Sequence, residues 1–291
     1  MINFSNAQEV LNSYSGSEKK KTLIYNDKRY LVKFPDPIRE KNKNISYINN
    51  AFSEYIGSSI FNMVGIPAQN TLLGIYEYNN KEKIVCACED FTDYSHDLYE
   101  FERLALSINP DKKIDTELSD IMYSISEFCK NMSVINISES IKDRFWDMFI
   151  IDFLIGNTDR HNGNWGLLID LQNSSAIFSP IYDCGSCLNP LLEDSDIENL
   201  SDVEIKNLSI NCYSCIKEDG KKINYAQYIK SMKNQDCSDA LVRVFNNISI
   251  FDINKFIDDI SCISLVRKKF YKEVISYRYE ILKKMYEKIS K

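Results

Sequence analysis

Histidine is almost missing from this 291-residue chain, with His96 and His161 its sole representatives. That leaves little material for a histidine-ligated zinc site or a Ser-His-Asp nucleophile. No apolar run approaches the ~18 residues needed to span a bilayer. The start, Met1-Ile2-Asn3-Phe4-Ser5-Asn6, has neither the basic nor the apolar region of a signal peptide. The expectation is therefore a cytoplasmic protein without a transmembrane segment, with export by a signal-free route left open. An excess of basic charge is also missing. The formal net charge of −7 speaks against nucleic acid as the main partner, because phosphate backbones call for a basic field. No internal repeat, linker or low-complexity stretch is present.

A chain of this length can bury a substantial core in one or two domains. Its 44% hydrophobic and 26% charged residues are ordinary for a globular protein. Nine cysteines, an odd count without a signal peptide, read as reduced thiols. Two Cys-x-x-Cys pairs, Cys184/Cys187 and Cys212/Cys215, approximate a zinc-ribbon spacing. Cys184, however, lies directly between an Asp and a Gly where the backbone is already committed, so packed thiols are the preferred reading.

The most informative stretch is Ile155-Gly156-Asn157-Thr158-Asp159-Arg160-His161-Asn162-Gly163-Asn164-Trp165-Gly166. The mostly apolar run Phe149 to Leu154 ends there in turn formers carrying an Asp and, five positions on, an Asn. The apolar Leu167-Leu168-Ile169 follows. Apolar helix, polar loop and short strand is the layout of a kinase catalytic loop, in which Asp takes the proton of the attacking hydroxyl and Asn holds Mg²⁺. Both side chains must converge on one phosphoryl group from the two limbs of one loop. A further metal-binding Asp is expected on a neighbouring strand, and Asp183 in Ile181-Tyr182-Asp183-Cys184-Gly185 answers to it. His161, beside Arg160, reads as a brace of the loop, since Asp159 already serves as base.

Upstream, Ser13 to Lys21 is a small, polar, basic loop leading into strands Thr22–Tyr25 and Arg29–Phe34, joined by a hairpin turn at Asn26-Asp27-Lys28. Its Ser15, Gly16, Ser17 and Lys20 suit a lid over phosphates, though one glycine falls short of the full glycine-rich pattern, and a solvated tail reads equally well. Lys33, in the apolar strand Tyr30-Leu31-Val32-Lys33-Phe34, resembles the ATP-phosphate lysine of the kinase Val-Ala-Ile-Lys strand; the bland alternative is an exposed edge-strand lysine. A carboxylate from a helix should hold it. Ile48 to Val64 reads as that helix, with Phe52, Ile56, Ile60 and Met63 as its apolar stripe, Gly65 and Pro67 as its stop, and Glu54 as its sole acid. A strand pair, Thr71–Tyr76 and Lys83–Glu89, follows. Glu89 to Asp93 then leaves the sheet toward a helical region, which places Glu89 and Phe91 where a hinge would bind adenine through its backbone.

Ile141 to Leu154 reads as a helix with Ser138 as its cap, and Trp165–Asp170 and Ala176–Tyr182 as a strand pair. The acidic run from Leu192 to Asn211 reads as a solvated helix or a docking face for a basic substrate. Val266, Phe270, Val274, Tyr277, Ile281 and Met285 mark a C-terminal helix whose opposite, basic face could meet a membrane surface or an acidic partner.

Asn157-Thr158-Asp159-Arg160-His161 with Asn164, Tyr182-Asp183 and the loop from Tyr14 to Lys20 resembles the HipA-like serine/threonine kinases. Phe52-Ser53-Glu54-Tyr55 with Lys33-Phe34-Pro35 is similar to their short CtkA-type branch. The resemblance covers about Gly16 to Pro190 and implies an α+β, two-lobed protein-kinase-like fold. A β-rich N-lobe would span residues 1–91 and a mainly helical C-lobe residues 92–291. It implies ATP and Mg²⁺ as cofactors, Asp159 as catalytic base, Asn164 and Asp183 as metal ligands, and Lys33 with Glu54 at the ATP phosphates. Ser15 and Ser17 fall where some of these kinases autophosphorylate. The chain is too short for the additional N-terminal subdomain of full-length HipA toxins, which speaks against a toxin role and HipB-type antitoxin binding. The expected reaction is γ-phosphoryl transfer to a protein Ser or Thr. The rivals are a small-molecule phosphotransferase, which shares the Asp-to-Asn spacing, and a kinase-like binding module without turnover.

Overall fold

The structure, a computed structural model, describes residues 1–11, 20–35, 49–78, 80–108, 110, 116–131, 136–137 and 140–291. The first part of the chain is a six-stranded sheet in the order β1-β5-β6-β4-β3-β2. Its strands are β1 (Ile2–Asn3), β2 (Gln8–Val10), β3 (Lys20–Tyr25), β4 (Lys28–Lys33), β5 (Thr71–Tyr78) and β6 (Lys81–Glu89). The β3–β4 turn has Asn26 and Asp27 at φ 48° and 60°, the left-handed pair that a two-residue hairpin needs. Alternation sorts the sheet's two faces. Val32, Phe34, Val85 and Ala87 join Phe4 and Leu23 in one apolar cluster. Leu31, Cys86 and Cys88 point the other way, toward helix α1 (Asn50–Met63). Lys33, alternating with Val32, therefore faces the helix.

The buried side of α1 is broader than an apolar stripe. Ile56, Ile60 and Phe61 are buried, and so are Ser53, Glu54, Gly57 and Ser58, whereas Met63 is exposed. Polar residues are tolerated there because the helix lies against the chain segment after Asp183. A Cβ on Gly57 would come within 2.7 Å of the Cys184 Cβ.

Beyond Glu89 the chain does not go straight into helix. Strand β7 (His96–Glu100) comes first and pairs antiparallel with β9 (Gly166–Asp170), the middle of a sheet ordered β7-β9-β10-β8. The expected strand pair is β9 with β10 (Ser175–Phe178), extended by β7 and by β8 (Asn136–Ile137). Helices α2 (Phe101–Ile108) and α3 (Leu118–Asn131) lie between β7 and β8 in sequence.

Helix α4 (Ile141–Ile155) runs through the middle of the larger core and is buried nearly all round. The expected cap, Ser138, lies outside the described residues. Ser140 caps the helix instead, accepting from the Asp143 N–H. Gly156 ends it at φ 67°, where the buried Arg278 guanidinium fills the space a Cβ would need. After β10 come α5 (Asp194–Glu198), α6 (Asp202–Ile210), the hairpin β11 (Tyr213–Glu218) and β12 (Lys221–Asn224), α7 (Tyr225–Ser231), α8 (Gln235–Phe245), α9 (Ile250–Asp259) and α10 (Leu265–Ile289). The acidic run is spent locally: Glu193 with Asp196, and Ser201 with Glu204, form capping boxes on α5 and α6, and Asp194 pairs with Arg267 at 2.6 Å. Arg267 and Arg278 of α10 are buried, which removes two charges from its expected basic face.

Candidate active site

Lys33 ends β4 with its ammonium in the gap between the sheet and the larger core. It donates to Glu54 Oε2 and to Asp183 Oδ1, both at 2.7 Å. Glu54 is fully buried and its other oxygen accepts the backbone N–H of Cys184 at 3.0 Å. One glutamate thus holds both the lysine and the backbone beside the aspartate. A buried carboxylate so engaged is not the solvent-facing helix residue that position alone allows.

Helix α1 is tied to that segment at further points. Asn49, at its N-cap position, makes no side-chain cap bond; its amide instead donates to the carbonyls of Pro190 and Leu192. Ser53 Oγ donates to the Cys187 carbonyl at 2.6 Å, and Cys187 Sγ returns a contact to the Ser53 carbonyl.

The loop after α4 is built around Arg160, which is 1% exposed. Its guanidinium grips Asp152 in a two-point ion pair, with Nε to Oδ2 at 2.9 Å and Nη2 to Oδ1 at 3.0 Å. Nη1 donates to the carbonyls of both Asn164 and Tyr182. One nitrogen thereby ties the far limb of the loop to the residue before Asp183. Asn157 also leans on Asp152 and accepts the Asp159 N–H, while its own carbonyl takes the hydroxyl of Tyr225.

On this frame Asp159 and Asn164 meet: Asn164 Nδ2 donates to the Asp159 carbonyl at 2.7 Å. The Asp159 carboxylate makes no hydrogen bond or ion pair among the described residues. Protein displacing water on one side pushes its pKa above the ordinary value; His161 and Arg160 pull against that, and Asp183 adds to it. Asp183 sits at φ 57° in the left-handed region, and its side chain is 41% exposed. Desolvation pushes its pKa up, but the Lys33 ammonium outweighs this and holds the carboxyl below its usual range. His161 Nδ1 accepts the Gly163 N–H, a bracing contact.

The candidate residues are not all gathered equally. Lys33, Glu54, Asp159, Asn164 and Asp183 converge. Lys20 lies directly across from Lys33 in the β3–β4 register. Ser15, Gly16 and Ser17 lie outside the described residues. Glu89 has its N–H bonded to the Asn70 carbonyl, its carbonyl to Gln69 and its carboxylate to Lys28. Phe91 stands nearer the centre, its ring 5.9 Å from that of Tyr182, whose hydroxyl donates to the Gly163 carbonyl. Sequence reasoning missed Asp152 and Arg160 as a structural pair. The available signal was an acid inside the apolar run Phe149 to Leu154, which needs a buried cation.

The donor set suits a hard cation. The Asn164 amide is oriented by its nitrogen, leaving Oδ1 without a hydrogen bond among the described residues, and Asp183 offers an accessible carboxylate. Mg²⁺ is commonly held by one or two such oxygens plus substrate phosphates. Among the described residues no three His, Cys, Asp or Glu side chains group closely enough to hold a metal by themselves. Cys184 and Cys187 are instead buried against Gly57, and burial pushes the Cys184 thiol up to about 12.

The model of the HipA-like C-terminal domain matches residues 12–207. Over 265 residues the chain is 39% identical to the serine/threonine-protein kinase CtkA of Helicobacter pylori, covering 89% of this chain and 78% of that protein. The crystal structure of the Helicobacter pylori proinflammatory kinase CtkA superposes with a TM-score of 0.87 at 36% identity, over 99% of this chain and 97% of that one. HipA of Shewanella oneidensis MR-1, solved with HipB and operator DNA, matches with a TM-score of 0.53 at 12% identity over 94% of this chain and 65% of its own. That more distant likeness concerns the fold alone.

Proposed function

This chain belongs to the family of HipA-like C-terminal domains, and from that premise we propose the division of labour within its active site. The protein is a serine/threonine protein kinase with a kinase-like α+β fold. Its reaction calls for a nucleoside triphosphate and a divalent metal, which we take to be ATP and Mg²⁺. We place the lobe boundary at residue 91, with the nucleotide between residues 1–91 and 92–291, and the protein in the cytoplasm.

Lys33 holds the α- and β-phosphates, oriented by Glu54. Asp159 accepts the proton of the acceptor hydroxyl as its oxygen bonds to the γ-phosphorus and the bond to the β–γ bridging oxygen breaks. Asn164 and Asp183 hold Mg²⁺, which neutralises phosphate charge when bound. Phe91 provides the free backbone edge for adenine: its N–H and carbonyl make no hydrogen bond among the described residues, whereas Glu89 is engaged on both sides. Lys20, directly across from Lys33 in the β3–β4 register, adds a second cation on the phosphate side.

The observation that carries this reading is the single chain of contacts Glu54–Lys33–Asp183, closed through Arg160 onto the loop of Asp159 and Asn164. A test is incubation with γ-labelled ATP and a panel of protein, aminoglycoside and choline acceptors. Label on serine or threonine of protein is expected; label confined to the small molecules would favour the small-molecule phosphotransferase.

A further inference from the structure

The roles above end at Asp183, yet two side chains from far downstream grip the start of the catalytic loop. Tyr225 of α7 donates its hydroxyl to the Asn157 carbonyl at 3.0 Å. Arg278 of α10 lies against the neighbouring residue. A Cβ on Gly156 would come within 2.5 Å of the Arg278 Cζ and Nη2, and closer still to Nη1. The guanidinium therefore covers the α-carbon of Gly156, three positions before Asp159.

Arg278 is buried without a counter-charge. It is 1% exposed, and it makes no ion pair among the described residues. Its Nε donates to the Ser209 carbonyl at 3.1 Å, whereas Nη1 has no hydrogen-bond partner among those residues. Desolvation lowers its pKa, the direction expected for a cation buried without a carboxylate. Arg160 offers the contrast, because a two-point pair with Asp152 balances its burial. A charge lacking such a partner does not stabilise a fold, and an apolar side chain of similar length would serve the core as well or better.

What Arg278 does meet is the end of α4. Gly156 closes that helix in the left-handed region, its N–H shared between the Asp152 and Phe153 carbonyls. A helix C-terminus is the negative end of the dipole and favours a cation. The contact also requires glycine, since any Cβ would overlap the guanidinium. The planar group thereby fixes how the chain leaves the helix. The loop then follows in bonded succession: the Asn157 N–H donates to the Asp152 carbonyl, the Asp159 N–H to Asn157 Oδ1, and the His161 N–H to the Asp159 carbonyl.

We propose that Arg278 is a positioning residue that sets the Asp159 carboxylate for proton abstraction by seating Gly156, with Tyr225 holding Asn157 beside it. Arg278 touches no substrate and moves no proton; it acts only through the loop. This assignment rests on the kinase reading above.

The test compares wild type with Arg278→Met, Arg278→Lys and Tyr225→Phe in label transfer to protein, in melting temperature and in amide hydrogen exchange across residues 156–161. Arg278→Met is repeated on an Asp159→Asn background. Arg278→Met should lower kcat by about 10²-fold, the scale of a displacement of about 1 Å, with KM for ATP unchanged and the melting temperature equal or raised. Arg278→Lys keeps the charge without the plane and should recover part of that rate. Tyr225→Phe should act in the same direction and to a lesser degree. Exchange at the Asp159 and His161 amides should quicken in Arg278→Met. On the Asp159→Asn background the same change should cost nothing more, because its effect passes through that carboxylate. A full further loss there would overturn the proposal, as would a lowered melting temperature with the kcat of the folded protein intact. Loop exchange is read without turnover. A wild type that transfers nothing would tell against the kinase reading; faster exchange in Arg278→Met would then leave the seating of the loop standing, and unchanged exchange would overturn it.

Discussion

Arg160 shows at the scale of one side chain how the site is held. It never needs to touch substrate: four of its donors are taken by Asp152 and by carbonyls from both sides of the cleft floor, and Nη2 also reaches the Cys184 Sγ. Replacing it with methionine strands the Asp152 carboxylate in a dry core, a loss of about 3–5 kcal/mol. Chemical denaturation of Arg160→Met should show it, and a change under 1 kcal/mol would contradict the buried-pair account. Asp159, Asn164 and Lys33 were legible in the sequence because each carries a local signature: a loop spacing for two, a charged residue in an apolar strand for the third. Asp152 and Arg160 were not, although eight positions apart. Their pairing needs a helix end and a loop return to bring them together, and no periodicity encodes that return. Glu54 was legible only by default, as the sole acid on its helix. Its burial depends on a segment 130 residues away.

Among the elements, α1 decides whether the site is assembled. Asn49, Ser53 and Glu54 bond to the chain between Cys184 and Leu192, and Gly57 lets the two backbones approach. In Gly57→Ala the added methyl would meet the Cys184 Cβ at 2.7 Å and the Cys187 Sγ at 3.0 Å. Overpacking of that kind costs about 1–3 kcal/mol, against about 1 kcal/mol gained in helix propensity. The predicted outcome is a KM for ATP raised about tenfold with little change in melting temperature, because α1 shifts Glu54 away from Lys33. A stabilised variant with unaltered KM would refute that coupling. Strong periodicity and clear turn residues made β3, β4, α1 and α4 readable. Strand β7 was not, since His96-Asp97-Leu98-Tyr99-Glu100 has too little alternation and gains its identity from pairing with β9. The solvated acidic helices and the docked C-terminal helix were readable from charge and periodicity, whereas the capping boxes and the two buried arginines that take up part of that charge were not, because a sequence displays every charge as if it were on the surface.

For the whole molecule, the sheet and the helical body meet through the Lys33 contacts, the Ala68–Ile181 bridge and the Asn49 clamp. No described helix is long and apolar enough to cross a membrane. With Asp183 and Asn164 as the oxygen donors, chelation of divalent metal should abolish transfer and added Mg²⁺ should restore it; transfer that persists in chelator would remove both residues from that role. The central claim is that five distant side chains serve one phosphoryl transfer, with Asp159 as its base. The most direct measurement is the rate of label transfer from Mg·ATP to protein serine or threonine by wild type and Asp159→Asn, alongside calorimetric ATP affinity for both. The account predicts at least a ~10²-fold loss of rate in the variant with ATP affinity retained. A variant as active as wild type would contradict it.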